Sequence, residues 1–170
     1  MISFSVPLLG FAAYSGTGKT TLLCKIIPLL REKGIRVGIV KHAHHSFDID
    51  HPKKDSCKLR DSGAEKMVIT SSKRTAIVIE HPNDEEPTLA DALKYIHTKN
   101  LDLILVEGFK KAPIPKIELH RKALDRPYLY PNDDNIIAIA TDHQLQSNKH
   151  LHKLNLNNPE EITDFIKARI

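Results

Sequence analysis

Apolar residues along the chain follow two alternating patterns, short continuous runs and runs with helical spacing. The first continuous run, Leu8-Leu9-Gly10-Phe11-Ala12-Ala13, is typical of a strand covered on both faces. From Lys19 the spacing becomes helical up to Gly34, with apolar positions at Leu22, Leu23, Ile26, Ile27 and Leu30. The pattern therefore predicts a buried strand followed by an amphipathic helix.

The same alternation continues to the end of the chain. It predicts further strands over residues 36–41, 66–70, 75–80, 101–106, 116–120 and 135–141. Helices are predicted over residues 56–64, from a capping box at Thr88 to His97, and after Asn158-Pro159. This order favours an α/β fold with a largely parallel sheet, to which residues 66–80 would add an antiparallel pair. Because no repeat or Gly/Ser-rich linker divides the sequence, residues 1–170 are predicted to form a single domain.

Charge and composition exclude several classes of protein. The chain of 170 residues has 25 Lys and Arg against 21 Asp and Glu, a net charge of +4, which suits a small anionic ligand better than a long nucleic acid. Only 5% of the residues are aromatic and Trp is absent, so there is little material for stacking on bases. We therefore expect no nucleic-acid partner.

Residues 1–18 carry no charged side chain, which raises the question of a signal peptide or a membrane span. The segment has no basic start and no small-residue cleavage site, and polar or helix-breaking residues from Pro7 onward interrupt it. Cys24 and Cys57 lack CxxC spacing, as expected of reduced thiols. These features predict a cytoplasmic protein without a membrane segment.

Between the first strand and the first helix lies the segment Ala13-Tyr14-Ser15-Gly16-Thr17-Gly18-Lys19-Thr20-Thr21, here called the phosphate loop. Gly16 and Gly18 would let a polyanion approach the backbone N–H groups at the start of the helix. Lys19 is expected to reach the β and γ phosphates, Thr20 to bind Mg²⁺, and Thr21 to donate to the α phosphate. The segment predicts a P-loop nucleotidase-like, three-layer α/β sandwich with helices on both faces of the sheet.

One position departs from the phosphate-loop motif G-x-x-x-x-G-K-[ST], because Ala13 stands where Gly is usual. The loop tolerates this methyl group if φ at Ala13 is negative. The alternative interpretation is a glycine-rich turn with an unrelated lysine.

Glu107 and Gly108 directly follow four apolar residues of the predicted strand at 101–106. In phosphate-loop nucleotidases a carboxylate here holds Mg²⁺ or its water, and the following Gly presents its N–H near the γ phosphate. Glu107 is therefore a candidate catalytic residue and metal ligand, either through water or by polarising the attacking water. The alternative is a solvated acidic residue at a strand end.

A histidine-rich segment follows the second strand, and three interpretations of it stay open. It is a transition-metal site, a Mg²⁺-linked or anion-binding switch loop, or a solvated polar loop. Nearby lysines and Arg60 favour contact with a phosphate or an acidic cofactor, since they would repel a dication. The candidate cofactor-binding residues are His42, His44, His45 and Lys54, and the candidate metal ligands are Asp48 and Asp50.

Asp142 ends the strand at 135–141. A carboxylate there can accept hydrogen bonds from N1 and N2 of guanine, which adenine cannot supply. The usual Asn/Thr-Lys-x-Asp base-reading motif is absent, so a turn or capping role for Asp142 is an equal alternative.

Three segments together resemble the molybdopterin-guanine dinucleotide biosynthesis protein B family (MobB). They are the run from Phe11 to Leu23, the run Val40-Lys41-His42-Ala43-His44-His45 with the acidic and basic residues after it, and the run from Leu101 to Lys110. The resemblance implies a homodimeric GTP-binding protein with weak GTPase activity, which assists the partner enzyme that attaches GMP to molybdopterin. It also implies Mg²⁺ as a cofactor and adds molybdopterin itself as a candidate ligand.

By this resemblance, Ser15 to Thr21 hold the phosphates and Mg²⁺, Glu107 and Gly108 lie near the γ phosphate, and Asp142 reads guanine. Without an arginine finger or a glutamine placed to orient water, hydrolysis is expected to be slow. Two alternatives are a small-molecule kinase and a nucleotide-driven metal chaperone that uses the histidine-rich segment. A kinase of this kind usually has an arginine-rich lid, for which Arg121 and Arg126 are the only nearby candidates.

Overall fold

The computed structural model describes residues 4–43, 54–81, 85–145 and 151–170. Their elements are, in chain order, β1 (Leu8–Ala12), α1 (Lys19–Glu32), β2 (Val37–Lys41), α2 (Asp55–Asp61), β3 (Lys66–Thr70), β4 (Thr75–Ile79), α3 (Leu89–Leu93), β5 (Leu103–Glu107), β6 (Lys116–His120), β7 (Ile136–Thr141), β8 (His152–Asn155) and α4 (Pro159–Lys167), with 3₁₀ turns at Lys122–Leu124 and Tyr130–Asn132. Contacts divide the chain into two compact units, Met1–His42 with Thr88–Ile170, and Ala43–Pro87. The single domain over residues 1–170 stays a prediction.

The first unit contains a six-stranded sheet in the order β2-β5-β1-β6-β7-β8. Every neighbouring pair in it is parallel. Four of the five residues of β1 and of β5 are buried, as their continuous apolar runs predict. β1 is an inner strand, so the turn that follows it lies between the carboxyl ends of β5 and β6.

Helices cover both faces of this sheet. On one face, α1 and α4 pack their apolar residues, including Ile26, Leu30 and Ile162, against Phe11 and Leu105. On the other face, Leu89 and Leu93 of α3 join a second cluster with Val40, Ile104 and Val106. The predicted three-layer α/β sandwich with a mostly parallel sheet is confirmed.

Local sequence signals explain the helix ends. The Thr88 hydroxyl accepts from the Asp91 backbone N–H and the Asp91 carboxylate accepts from the Thr88 N–H, which forms the predicted capping box. α3 ends at Leu93 rather than at His97, because Lys94, Tyr95 and Ile96 donate to carbonyls three residues earlier and form tighter turns.

The second unit contains α2 and an antiparallel pair, β3 with β4. The prediction that these strands add to the main sheet is wrong, since they form a separate two-stranded sheet. Val68 and Ile77 face each other across it and are 65% and 46% exposed. Their outward apolar side chains leave one face of this small sheet uncovered within the described residues.

Two further features complete the description. β8 is not predicted from the pattern, because its sequence His152-Lys153-Leu154-Asn155 has one buried residue among polar ones. In the described part of the chain, the helices are too short or too polar for any of them to cross a membrane.

Candidate functional site

The phosphate loop lies at the carboxyl end of the sheet, between β1 and α1. The Thr17 hydroxyl donates to the Tyr14 carbonyl at 2.8 Å, and Thr17 is 2% exposed. This buried hydrogen bond links two residues of the loop to each other. Gly16 and Gly18 have φ values of 81° and 92°, which a side chain rarely adopts. These contacts give the loop a single compact shape with exposed residues at Ser15 and Gly16.

Ala13 fits this loop. Among the described non-glycine residues, positive φ occurs at Asn100, Phe109 and Asp125, so Ala13 has the negative φ that its methyl group requires. The side chain is buried at the end of β1. The departure from the usual glycine therefore imposes no backbone strain.

The amino end of α1 is open to a ligand. Gly18 precedes the helix, and no described side chain caps it. The first intrahelical hydrogen bond runs from the Leu22 N–H to the Gly18 carbonyl, so the N–H groups of Lys19, Thr20 and Thr21 have no partner inside the helix. Together with the dipole of a helix of 14 residues, these donors favour a bound anion.

Thr20 and Glu107 are brought together by the sheet. Glu107 ends β5 and pairs in register with Phe11 of β1 and with Lys41 of β2. The Thr20 hydroxyl donates to Oε1 of Glu107 at 3.1 Å, and the Lys41 ammonium lies 3.6 Å from its Oε2. A hydroxyl and a carboxylate at this distance are suitable ligands for Mg²⁺, which takes its remaining ligands from water and phosphate.

Lys19 lies near two other lysines, Lys41 and Lys110, and near the carboxylate of Glu107. Partial burial lowers the pKa of Lys19 below its usual value, and Glu107 opposes this shift, whereas Lys110 and Lys41 lower the pKa further. The Lys110 ammonium also lies 5.4 Å from the centre of the Tyr14 ring. Three cations against one anion leave local positive charge, which an anionic ligand would neutralise.

Gly108 lies against the backbone at the end of β2. Its φ is 89°, and a Cβ at this position would meet the His42 Cβ at 2.7 Å and the His42 carbonyl oxygen at 3.3 Å. The His42 N–H donates to the Glu107 carbonyl at 2.8 Å, and its ring lies 4.7 Å from that of Phe109. The predicted residues Glu107, Gly108 and His42 are therefore neighbours.

On the other side of β1, Asp142 is held by protein donors. Its Oδ1 accepts from the Lys122 backbone N–H at 3.0 Å and lies 3.2 Å from His143 Nδ1. Its Oδ2 lies 3.5 Å from Nη1 of Arg121. The Lys122 N–H lowers the pKa of Asp142, with burial opposing, so the carboxylate is ionised at neutral pH.

Sequence reasoning missed the role of Arg121 and considered it only as part of a lid. Its Nε donates to the Thr17 carbonyl at 3.0 Å, so the side chain reaches from the end of β6 to the phosphate loop. The Arg126 guanidinium lies 5.9 Å from the centre of the Tyr14 ring. Nothing in the sequence pattern indicates these contacts.

The remaining predicted residues either lie outside the described residues or belong to the second unit. His44, His45, Asp48 and Asp50 lie outside the described residues. Lys54 belongs to the second unit, where it immediately precedes α2. Within the described ranges, no three His, Cys, Asp or Glu side chains come together as a metal site.

Comparison with known proteins assigns this arrangement to a family. The family model MobB, described as molybdopterin guanine dinucleotide synthesis protein B, matches residues 8–142. The chain belongs to the MobB family. The resemblance stated from the phosphate loop, the histidine-rich segment and the run at Glu107-Gly108 is confirmed.

Relatives of MobB match along almost their whole length. The molybdopterin-guanine dinucleotide biosynthesis adapter protein of Escherichia coli is 47% identical over 162 residues, which cover 95% of this chain and 91% of the relative. The protein of the same name from Haemophilus influenzae is 42% identical, with coverage of 95% and 88%. The crystal structure of a molybdopterin-guanine biosynthesis protein B has a TM-score of 0.70 and 28% identity, and covers 96% of this chain and 99% of that one.

Proposed function

We propose that this chain is a cytoplasmic GTP-binding protein with slow GTPase activity that acts as an adapter in the biosynthesis of molybdopterin guanine dinucleotide. The adapter role is supported by the names of its relatives, which match it over most of their length. GTP binding is supported by the geometry of the phosphate loop. Its partner would be the enzyme that attaches GMP to molybdopterin, and molybdopterin is a further candidate ligand.

One observation carries the nucleotide-binding proposal: the uncapped amino end of α1 coincides with the Thr20–Glu107 pair. Backbone N–H groups of residues 15–21 would hold the phosphates, and the Lys19 ammonium would bind the β and γ phosphates. Thr20 would ligate Mg²⁺ directly, and Glu107 would hold a water of the ion. Each group has a chemical partner in a Mg²⁺-nucleoside triphosphate.

We expect slow hydrolysis because the charged side chains of Glu107 and Arg121 already contact other protein groups. Glu107 is 12% exposed and contacts both Thr20 and Lys41, so its two carboxylate oxygens are already engaged by protein groups. Arg121 is engaged by Thr17 and Asp142. We expect the turnover of a phosphate-loop GTPase without an arginine finger, on the order of 10⁻⁴ per second.

Lys19→Ala tests the proposal. Loss of the ammonium should weaken binding of GTP with Mg²⁺ by at least roughly tenfold, since hydrogen bonds to charged groups contribute about 1.5–3 kcal/mol. Isothermal titration calorimetry measures this. Lys25→Ala is the matched control, because Lys25 is an exposed lysine of the same helix.

Unchanged GTP affinity in Lys19→Ala would contradict the nucleotide site. Equal weakening in both variants would show that only overall charge matters. The kinase and metal-chaperone alternatives gain no specific support from the described residues, where no metal-binding cluster occurs.

A homodimer is also part of the proposal. The exposed Val68 and Ile77 on the small sheet of the second unit support it, because apolar cross-strand pairs of this kind are suited to an interface between proteins.

A further inference from the structure

Arg121 links the two ends of the candidate nucleotide site. It directly follows β6, which lies between β1 and β7 in the sheet. Its Nε donates to the Thr17 carbonyl after β1, and its Nη1 lies 3.5 Å from Oδ2 of Asp142 after β7. One side chain therefore spans from the phosphate loop to the candidate base-reading carboxylate.

The guanidinium also packs on the phosphate loop itself. Its Nη2 and Nε lie 3.7 and 3.9 Å from the place where a Cβ on Gly18 would stand. These are ordinary van der Waals distances, so the Arg121 group lies directly against the loop at Gly18. A lysine could not make the same set of contacts, because a single ammonium lacks the fork of N–H donors that reaches two acceptors at once.

The segment that carries Arg121 is fixed by buried polar side chains of β6. The Glu118 carboxylate is 1% exposed and accepts from the Leu129 and Tyr130 N–H groups, each at 2.8 Å. The Lys116 ammonium donates to the Ala112 carbonyl at 2.6 Å and pairs with Asp133 at 3.0 Å. The Glu118 bonds and the Lys116–Asp133 pair tie the connection between β6 and β7, which Arg121 begins, to the strand.

Asp142 keeps capacity to accept a further donor. Its Oδ1 is engaged by the Lys122 N–H, whereas the 3.5 Å contact of Oδ2 with Arg121 is at the limit of hydrogen bonding. A carboxylate oxygen with a lone pair available suits the adjacent N1–H and N2–H donors of guanine. The planar guanidinium beside it can stack on an aromatic base.

Resting on the proposed nucleotide site, we infer that Arg121 is a positioning residue for base recognition: it holds Asp142 and the phosphate loop at a fixed separation, so that guanine is selected over adenine. Arg121 would thereby contribute to base recognition in a chain that lacks the Asn/Thr-Lys-x-Asp motif.

The test compares how Arg121→Ala binds GTP, ATP and inorganic tripolyphosphate, each with Mg²⁺, by calorimetry. GTP affinity should fall about tenfold, as expected for the loss of a charged hydrogen-bonding group, and the preference for GTP over ATP should disappear. Tripolyphosphate affinity should change less than about threefold, because the phosphate-binding groups remain. Arg121→Lys should lose the preference in the same way while it keeps the charge.

Three further variants sharpen the test. Asp142→Ala should lose the preference for GTP, and Arg121→Ala combined with Asp142→Ala should add little to either change alone, because the two residues act as a unit. Arg31→Ala removes the same charge from an exposed arginine near the opposite end of α1, and should bind all three ligands as the wild type does. Thermal unfolding of each variant checks that it is folded.

The inference is overturned if Arg121→Ala and Arg121→Lys keep the wild-type ratio of GTP to ATP affinity. It is also overturned if Arg121→Ala weakens tripolyphosphate as much as GTP, since Arg121 would then act on the phosphates. A wild-type protein that binds GTP and ATP equally refutes base selection and leaves nucleotide binding intact. A wild-type protein that binds none of the three ligands refutes the proposed function itself.

Discussion

Gly108 shows how a single residue sets the approach of two strands. It follows β5, and its Cα lies so close to His42, after β2, that a Cβ would stand 2.7 Å from the His42 Cβ. Glu107 is the preceding residue, so any displacement at Gly108 also moves the carboxylate that contacts Thr20. The absence of a side chain at Gly108 therefore determines the position of a candidate metal ligand.

Gly108→Ala should destabilise the protein more than Gly34→Ala. Both glycines have positive φ, 89° and 80°, so both substitutions cost roughly 1–2 kcal/mol of backbone strain. At Gly34 no atom lies within 4 Å of the added Cβ, whereas at Gly108 the clash with His42 adds on the order of 1–3 kcal/mol. The free energies of unfolding in urea measure the difference. Equal losses in the two variants would show that His42 moves away without cost.

At the scale of elements, most strands of the main sheet and the helices beside it could be predicted, because each shows a clear sequence pattern, such as an apolar run or a helix cap. The apolar runs at β1 and β5 are buried on both faces, and Pro159 begins α4 with Asn158 as its cap. β8 could not be predicted, because it pairs with β7 through its backbone while only Leu154 of its four residues is buried. The antiparallel pairing of β3 with β4 is as predicted, but their separation from the main sheet could not be predicted, since an apolar strand carries no information on which further strand it pairs with.

The same distinction holds within the candidate site. Lys19, Thr20 and Glu107 could be predicted because a short motif and a strand end locate them. Arg121 could not, since its contacts with Thr17 and Asp142 span 104 and 21 residues of sequence and depend on the strand order. Asp142 was named from its position alone, and its role in reading guanine stays a prediction.

The exposed face of the β3–β4 pair leads to a prediction about assembly. Val68→Lys should shift the protein from dimer to monomer, because burying an added ammonium among apolar side chains is unfavourable. Size-exclusion chromatography with light scattering measures the mass. Ser72→Lys is the control, since it adds the same charge in the exposed turn between the two strands. A Val68→Lys variant with the mass of the wild-type dimer would exclude this face from the interface, and a monomeric wild type would exclude the homodimer.

At the scale of the whole molecule, the sheet order places the two candidate halves of the nucleotide site on opposite sides of β1. Glu107 and Lys41 come from β5 and β2 on one side, and Arg121 and Asp142 come from β6 and β7 on the other. The candidate phosphate-binding residues and the candidate base-reading residues therefore come from separate strands. Substitutions at Glu107 and Lys41 should leave Arg121 and Asp142 in place, whereas Arg121 itself contacts the phosphate loop through the Thr17 carbonyl.

The lowered pKa of Lys19 predicts that ligand binding is coupled to the uptake of a proton. Burial lowers the pKa of Lys19 in the free protein, and a bound polyanion would raise it again. Binding should then take up a proton from solvent near the lowered pKa, and the affinity should decline as the pH rises above it. Titrations at alkaline pH in two buffers with different ionisation heats should give different apparent enthalpies, and identical enthalpies would disprove the coupling. A protein with this site would hold its nucleotide less tightly in alkaline solution, without any change in its fold.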